Sequence, residues 1–404
     1  MTKWNLSEFQ NFIHKTFSGL KRTLGRQQDG RDSSSNCIDA SQIASSLFFQ
    51  IVLGINSIHQ LDQWLRQNIA GFLLNTNNSQ PAGSDSTILQ AADGWNIDDI
   101  RKSAHALIDQ LSALGRLTFP HGGSKTIRPA ILDGSCFGNH WFSVLTLCGK
   151  TVQAPLDLEP YSNMGKERSA GFRLLQRLKM SSQSLPFTHL LLDGLYMNTN
   201  IFLKGLEMGF DPLVKTTEKT LSCAQQLQQD FDNYFDAESL PEHLSVIKGF
   251  DRERGFKFQA LQNNCIAWHG FTLNGLQLEI TYTSGHRKGK TATFWVFTTD
   301  TGLSAQQLRL LAHKRWAIEN NEFKQLNELV GSKSAYIQSQ KKKHAILFWQ
   351  MIGLALFQAF KCHCQHLVEK MKCGHTMTKK FLIEKIKMET YRFMFAGKSP
   401  PTIL

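Results

Sequence analysis

Several common signatures are missing from this 404-residue chain. Its eight cysteines, at 37, 136, 148, 223, 265, 362, 364 and 373, include no C-x-x-C pair. That spacing argues against a zinc-ribbon framework and, in a chain this long, for reduced thiols. No Gly-x-Gly-x-x-Gly fingerprint or Ser/His/Asp motif is present. Gly149-Lys150-Thr151 echoes a phosphate-binding loop, but Val144 stands where its first glycine belongs. The first residues, among them Lys3, Glu8 and Gln10, lack the apolar core of a signal peptide, so the chain is expected to stay in the compartment where it is made. Long apolar runs are missing too: the longest, Ala345 to Phe360, is broken by Gln350 and Gln358, which suits a buried helix better than a membrane span.

Acidic residues are also in short supply. Lys and Arg number 45 against 33 Asp and Glu, a net charge of +12. From Lys341 to Leu404, 12 Lys and Arg stand against 3 Glu. Such an excess suits a polyanion, nucleic acid before membrane, or else a solvated basic tail.

Residues 1 to 118 read as helical. Ser57 with Gln60 makes a capping-box start, and Ile100, Ala104, Ile108, Leu111 and Leu114 recur at helical spacing. After His121-Gly122-Gly123 the pattern changes. Strands are predicted over Ile127–Leu132, Trp141–Leu147 and Thr151–Leu158, as in an antiparallel meander. A helix near Lys166–Met180 follows, then the aliphatic run Leu190-Leu191-Leu192, a helix near Ile201–Met208 and a strand near Asp211–Lys215. Residues 218–297 read as a β-rich insertion, ending in two strands around the basic tip Ser284-Gly285-His286-Arg287-Lys288-Gly289-Lys290. A long helix is predicted after Ser304, with Gln307 completing a second capping box. The resulting parts are 1–118, 119–217, 218–297, 298–360 and a basic helical tail, 361–404.

Two tetrads rhyme: Ile131-Leu132-Asp133-Gly134 and Leu191-Leu192-Asp193-Gly194. Asp-Gly after a strand is a common turn signal. In this strand order, however, the first and fourth strands can be neighbours, with both aspartates at the sheet's carboxyl edge, where functional residues of open α/β sheets gather. A third acid stands out on the helix after Ser304. Positions 308, 312, 316, 319, 323, 326 and 330 form one stripe, and Glu319 is its only polar member. A buried, unpaired carboxylate costs several kcal/mol or takes up a proton, so a metal or a cation such as Arg315 must compensate it. Glu322 lies at the edge of the stripe and Glu328 on the opposite face.

With Arg315-Trp316-Ala317-Ile318-Glu319-Asn320, these tetrads resemble the DDE transposases of bacterial insertion sequences, in particular the insertion sequence four-like group with a β-strand insertion between its second and third acids. The resemblance spans nearly the whole chain. It implies an α/β fold: a ribonuclease-H-like mixed sheet with a β-rich insertion, an N-terminal helical DNA-binding domain and a helical C-terminus. It further implies that Asp133, Asp193 and Glu319 hold two Mg²⁺ ions, with Mn²⁺ as a substitute and no small-molecule cofactor. Two such ions, about 3.5–4 Å apart, serve in-line phosphodiester cleavage and strand transfer. Double-stranded DNA, both element ends and target, would be the partner, bridged by a homodimer in the bacterial cytoplasm at the nucleoid, with no membrane involved. The chain departs from the group's Y-x-x-R-x-x-x-E-x-x-x-x-x-x-K pattern, since Ala312 replaces the tyrosine and Leu326 the lysine, while Arg315 matches the arginine. Arg315, Lys324 and the tip residues His286, Arg287, Lys288 and Lys290 are the candidate DNA contacts; Lys324 or His313 would stand in for the missing outer residues. A catalytically retired DNA-binding descendant and a metal-dependent nuclease without strand transfer are the alternatives.

Two further clusters have competing readings. Lys341-Lys342-Lys343 reads as a phosphate clamp or a solvated helix start. Cys362, His363, Cys364, His366, Cys373 and His375 lack paired zinc spacing and suit helix packing with exposed histidines better than a metal.

Overall fold

The computed structural model describes residues 40–66, 84–119, 126–181, 185–252, 254–315, 318–332 and 336–370, with isolated residues and short stretches nearer the ends. The chain is an α/β protein with a nine-stranded mixed sheet, in the order β3-β2-β1-β4-β5-β9-β8-β7-β6. The strands are β1 (Pro129–Phe137), β2 (His140–Cys148), β3 (Gln153–Tyr161), β4 (His189–Asp193), β5 (Asp211–Thr216), β6 (Leu244–Asp251), β7 (Phe256–Trp268), β8 (Phe271–Tyr282) and β9 (Thr291–Thr298). Helices α1 (Ala40–Val52), α2 (Ile58–Arg66), α3 (Asp85–Gly94) and α4 (Ile97–Ala113) precede the sheet. Helices α5 (Glu167–Ser181), α6 (Thr199–Met208) and α7 (Ser222–Tyr234) fall between strands; α8 (Ala305–Lys314), α9 (Lys324–Val330) and α10 (Gln340–Lys370) follow them.

Two compact units divide the chain: Met1–Thr118, Gly134–Ala170 and Glu319–Leu404 in the first, Phe119–Asp133 and Gly171–Ile318 in the second. The first is organised around α10, which packs on α1, α3, α4 and β3. Its stretch Gln340–His366 is the one helix among the described residues long and apolar enough to cross a membrane, and 89% of its apolar window is buried inside the protein. The two glutamines that interrupt its apolar run are both satisfied. Gln350 donates to Gln50 at 3.0 Å, and Gln358 accepts from the Gln153 backbone N–H at 2.8 Å. Pairing removes the desolvation cost of a buried amide, so these residues fix the seating of α10 instead of breaking it. Trp349 meets Trp95 edge-on at 6.2 Å, and burial of each such ring contributes about 1.5–3 kcal/mol. Ser57 caps α2, accepting from Gln60 N–H at 3.1 Å.

The second unit carries the parallel strands and the insertion. β4 is parallel to both β1 and β5, and its Leu190, Leu191 and Leu192 are all buried. The insertion does not stand apart. Its last strand, β9, pairs antiparallel with β5, and β8, β7 and β6 extend the sheet by hairpins. Helix α7 packs on β7 and β8.

One expectation is corrected. Among the described residues, the stretch from Ser304 to Val330 is not uniformly α-helical. The capping box is present, with Ser304 N–H donating to Gln307 at 2.8 Å, but α8 stops at Lys314 and Ile318–Phe323 is π-helical before α9 begins. Such a wide turn takes an extra residue and shifts the helical phase, and it recurs at functional sites.

Candidate active site

β1 and β4 align Pro129, Ala130 and Ile131 with His189, Leu190 and Leu191. Carried onward, the same register sets Asp133 opposite Asp193. Across the next pair, Asp193 faces Lys215 of β5. Register partners project from the same face of a sheet, so Asp133, Asp193 and Lys215 make one row. Sequence reasoning passed over Lys215; the signal was a lysine inside the apolar β5 run.

Arg315, just past the end of α8, joins this row. Its Nη2 lies 3.2 Å from Asp133 Oδ1 and 3.5 Å from Asp193 Oδ2. Asp133 is only 6% exposed and Arg315 is equally buried, whereas the Asp193 side chain is 35% exposed. The remaining Asp193 oxygen accepts from Leu195 N–H at 3.0 Å and caps the short 3₁₀ turn Gly194–Tyr196. Lys215 is buried, its ammonium 3.8 Å from the centre of the Phe294 ring. Two acids thus share one guanidinium, which offsets both their desolvation and their mutual repulsion.

Neither Asp-Gly pair is a left-handed turn, since neither glycine has a positive φ. β1 continues through Gly134 to Phe137, so Asp133 lies within a strand instead of at its end. The glycines serve close approach. A Cβ at Gly134 would strike the Glu167 carboxyl and the Tyr161 hydroxyl, and one at Gly194 would come within 2.9 Å of Thr216 Oγ1.

The backbone of Glu319 belongs to the π turn; its side chain, like all of Trp316, lies outside the described residues. The residue three further on was underrated. Glu322 is 1% exposed, and neither of its oxygens has a hydrogen-bond partner of good geometry. Burial pushes its carboxyl up to about 8, with the nearby Thr146 hydroxyl opposing the rise only in part. Glu322 is therefore mostly protonated at neutral pH.

The remaining candidates are spread out. His286, Arg287, Lys288 and Lys290 are exposed at the β8–β9 tip, where Gly285 and Gly289 take positive φ. Lys324 is exposed and 3.9 Å from Glu328. His313 is held down to about 4, first by burial and then by Arg254 and Lys215, so it is uncharged at neutral pH. In the C-terminal cluster, Thr151 and Cys362 lie 2.8 Å apart and His363 packs on Phe12, while Cys373 and His375 lie outside the described residues.

The donor set of Asp133 and Asp193 suits Mg²⁺, which binds through one or two carboxylates and keeps its waters. Any such ion competes with the Arg315 guanidinium for the same oxygens. No protein-family model matches the chain, and no curated protein matches it.

Proposed function

We infer that this chain is a DNA transposase of the DDE type, cleaving the ends of an insertion sequence and joining them to target DNA. The observation that carries the reading is that Asp133 and Asp193, on adjacent parallel strands, both turn to one cation. An antiparallel turn-back from β1 into β2 and β3, followed by two strands parallel to β1 with helices between, supports a ribonuclease-H-like core over 119–217 and 298–360. β6 to β9 then form the insertion. Residues 1–118 and the exposed tip His286–Lys290 are the proposed DNA-binding surfaces, and a homodimer at the nucleoid is the proposed working form.

Asp133 and Asp193, with Glu319 as the third acid, are the residues that would hold Mg²⁺, which when bound supplies charge stabilisation at the phosphate. The protein's own contribution is to fix the two aspartates in register and to keep Asp133 out of water. Arg315 sets one guanidinium against both of them, at 3.2 Å from Asp133 and 3.5 Å from Asp193. Tip lysines and arginines would neutralise DNA phosphates without reading sequence.

The test incubates the protein with paired donor ends, taken from the DNA flanking its gene, and a target plasmid. Asp133→Ala and Asp193→Ala are expected to lose cleavage and joining by about 10⁴-fold or more while still shifting donor DNA in a gel. Full transposition by Asp193→Ala would sink the assignment. Cutting without any joined product would identify a nuclease instead.

A further inference from the structure

Lys343 does not behave as part of a solvated basic run. It is only 4% exposed, and its ammonium donates to the Ser332 backbone carbonyl at 2.6 Å. Both residues line a cavity of about 190 Å³ within the first unit. The deep end is formed by Ser332, Lys343, Val330 and Ile346, all buried; His59 and Tyr336 stand exposed at the mouth. The Ser332 hydroxyl is the unexplained group. Its side chain is 2% exposed, and Oγ has no hydrogen-bond partner among the described residues. An orphaned buried hydroxyl costs about 1–3 kcal/mol, and natural structures seldom leave one beside a cavity without something to fill it.

The size and lining restrict what that could be. The space far exceeds the roughly 10–15 Å³ that one water needs and falls short of the roughly 300–1,000 Å³ of pockets for larger ligands. Lys343 is the one Lys or Arg lining it, and aliphatic side chains supply most of the deep wall. At the mouth, Asp85 sits 3.6 Å from His59 and offsets whatever positive charge that ring would add. A dianionic phosphate wants several cationic donors or a bidentate arginine. One ammonium beside one hydroxyl over an apolar wall suits a monoanion with an alkyl end. Burial lowers the Lys343 amine to about 8, with Cys136 opposing weakly, so it keeps its proton at neutral pH.

We propose that this cavity binds a short-chain aliphatic carboxylate, its charged end held by the Lys343 ammonium and the Ser332 hydroxyl and its alkyl end against Val330 and Ile346. The proposal is independent of the transposase reading. The probe is butyrate, titrated into the full chain and followed by calorimetry and by thermal shift, with butyramide and inorganic phosphate in parallel. Butyrate is expected to bind saturably and to raise the melting temperature, while the other two do neither. Lys343→Met should weaken butyrate by about tenfold or more and Ser332→Ala by about threefold to tenfold, as loss of a charge-assisted and a neutral hydrogen bond requires. Should Lys343→Met fail to fold, Ser332→Ala decides alone. No saturable butyrate binding, equal binding of butyramide, preference for phosphate, or undiminished binding in the folded variants would each overturn it.

Discussion

Asp133 and Glu322 are both carboxyls taken out of water, and the protein neutralises them by different means. Asp133 has the Arg315 guanidinium lying against it and against Asp193. Glu322 gives up its charge, its carboxyl pushed up to about 8 by burial, with only the Thr146 hydroxyl opposing. The contrast teaches that depth alone does not decide the state of an acid; the neighbour does. It also separates two chemistries. A pair of aspartates set against one cation offers hard oxygen ligands, whereas a protonated glutamic acid offers a hydrogen-bond donor and a proton to release near neutral pH.

The contrast can be broken most severely at Arg315. Arg315→Met removes the cation that Asp133 and Asp193 share, which should cost about 3–5 kcal/mol, read as a lower urea midpoint at pH 7. A variant as stable as wild type at pH 7 would mean that the guanidinium is not what offsets the burial of the aspartate.

Glu322 sharpens the other side. Its carboxyl titrates higher in the folded protein than in the unfolded chain, so its contribution is complete below about pH 4.5 and is lost as pH rises towards 8. Glu322→Gln should therefore match wild type near pH 4.5 and exceed it increasingly up to pH 8, by about 1.4 kcal/mol per pH unit at most. Parallel denaturation curves at pH 5 and pH 8 measure the gap; a constant gap would mean that Glu322 is not proton-neutralised.

The smallest effect is expected within the aspartate pair itself. Asp193 is about one-third exposed, and water screens its interaction with Arg315. Asp193→Asn should thus cost only about 0–1 kcal/mol, clearly less than Asp133→Asn, in the same urea titration. Equal losses would show that the two acids share the guanidinium evenly despite their different exposure.

The features legible in the sequence were those written locally. The Ser304–Gln307 capping box, the run Leu190-Leu191-Leu192 and the meander before it all depend on residues a few positions apart, and each is present where its pattern predicts. The alignment of Asp133 with Asp193 followed from strand order, a coarser but still readable property. What escaped was set by distant partners. Arg315 reaches an aspartate 182 positions earlier, so the stripe pattern suggested it as a partner for Glu319 and could not show whom it neutralises. The π turn escaped because a steady four-three spacing reads as unbroken α-helix, and with it went the depth of Glu322. Lys343 was hidden among like residues: Lys341 is exposed, and only the packing of α10 separates the two.

β9 has a consequence for the modularity of this architecture. By sequence, residues 218–297 form a detachable block, yet their last strand is the hydrogen-bonded neighbour of β5, from Leu213 opposite Thr298 to Thr216 opposite Trp295. Splicing the block out would strip β5 of a partner and leave a buried, aliphatic strand with an open edge, the configuration that recruits other chains into aggregates. A shortened relative would therefore have to keep β9 or supply another strand in its place, so the tolerated cut lies before Thr291 and not at the end of the inserted block.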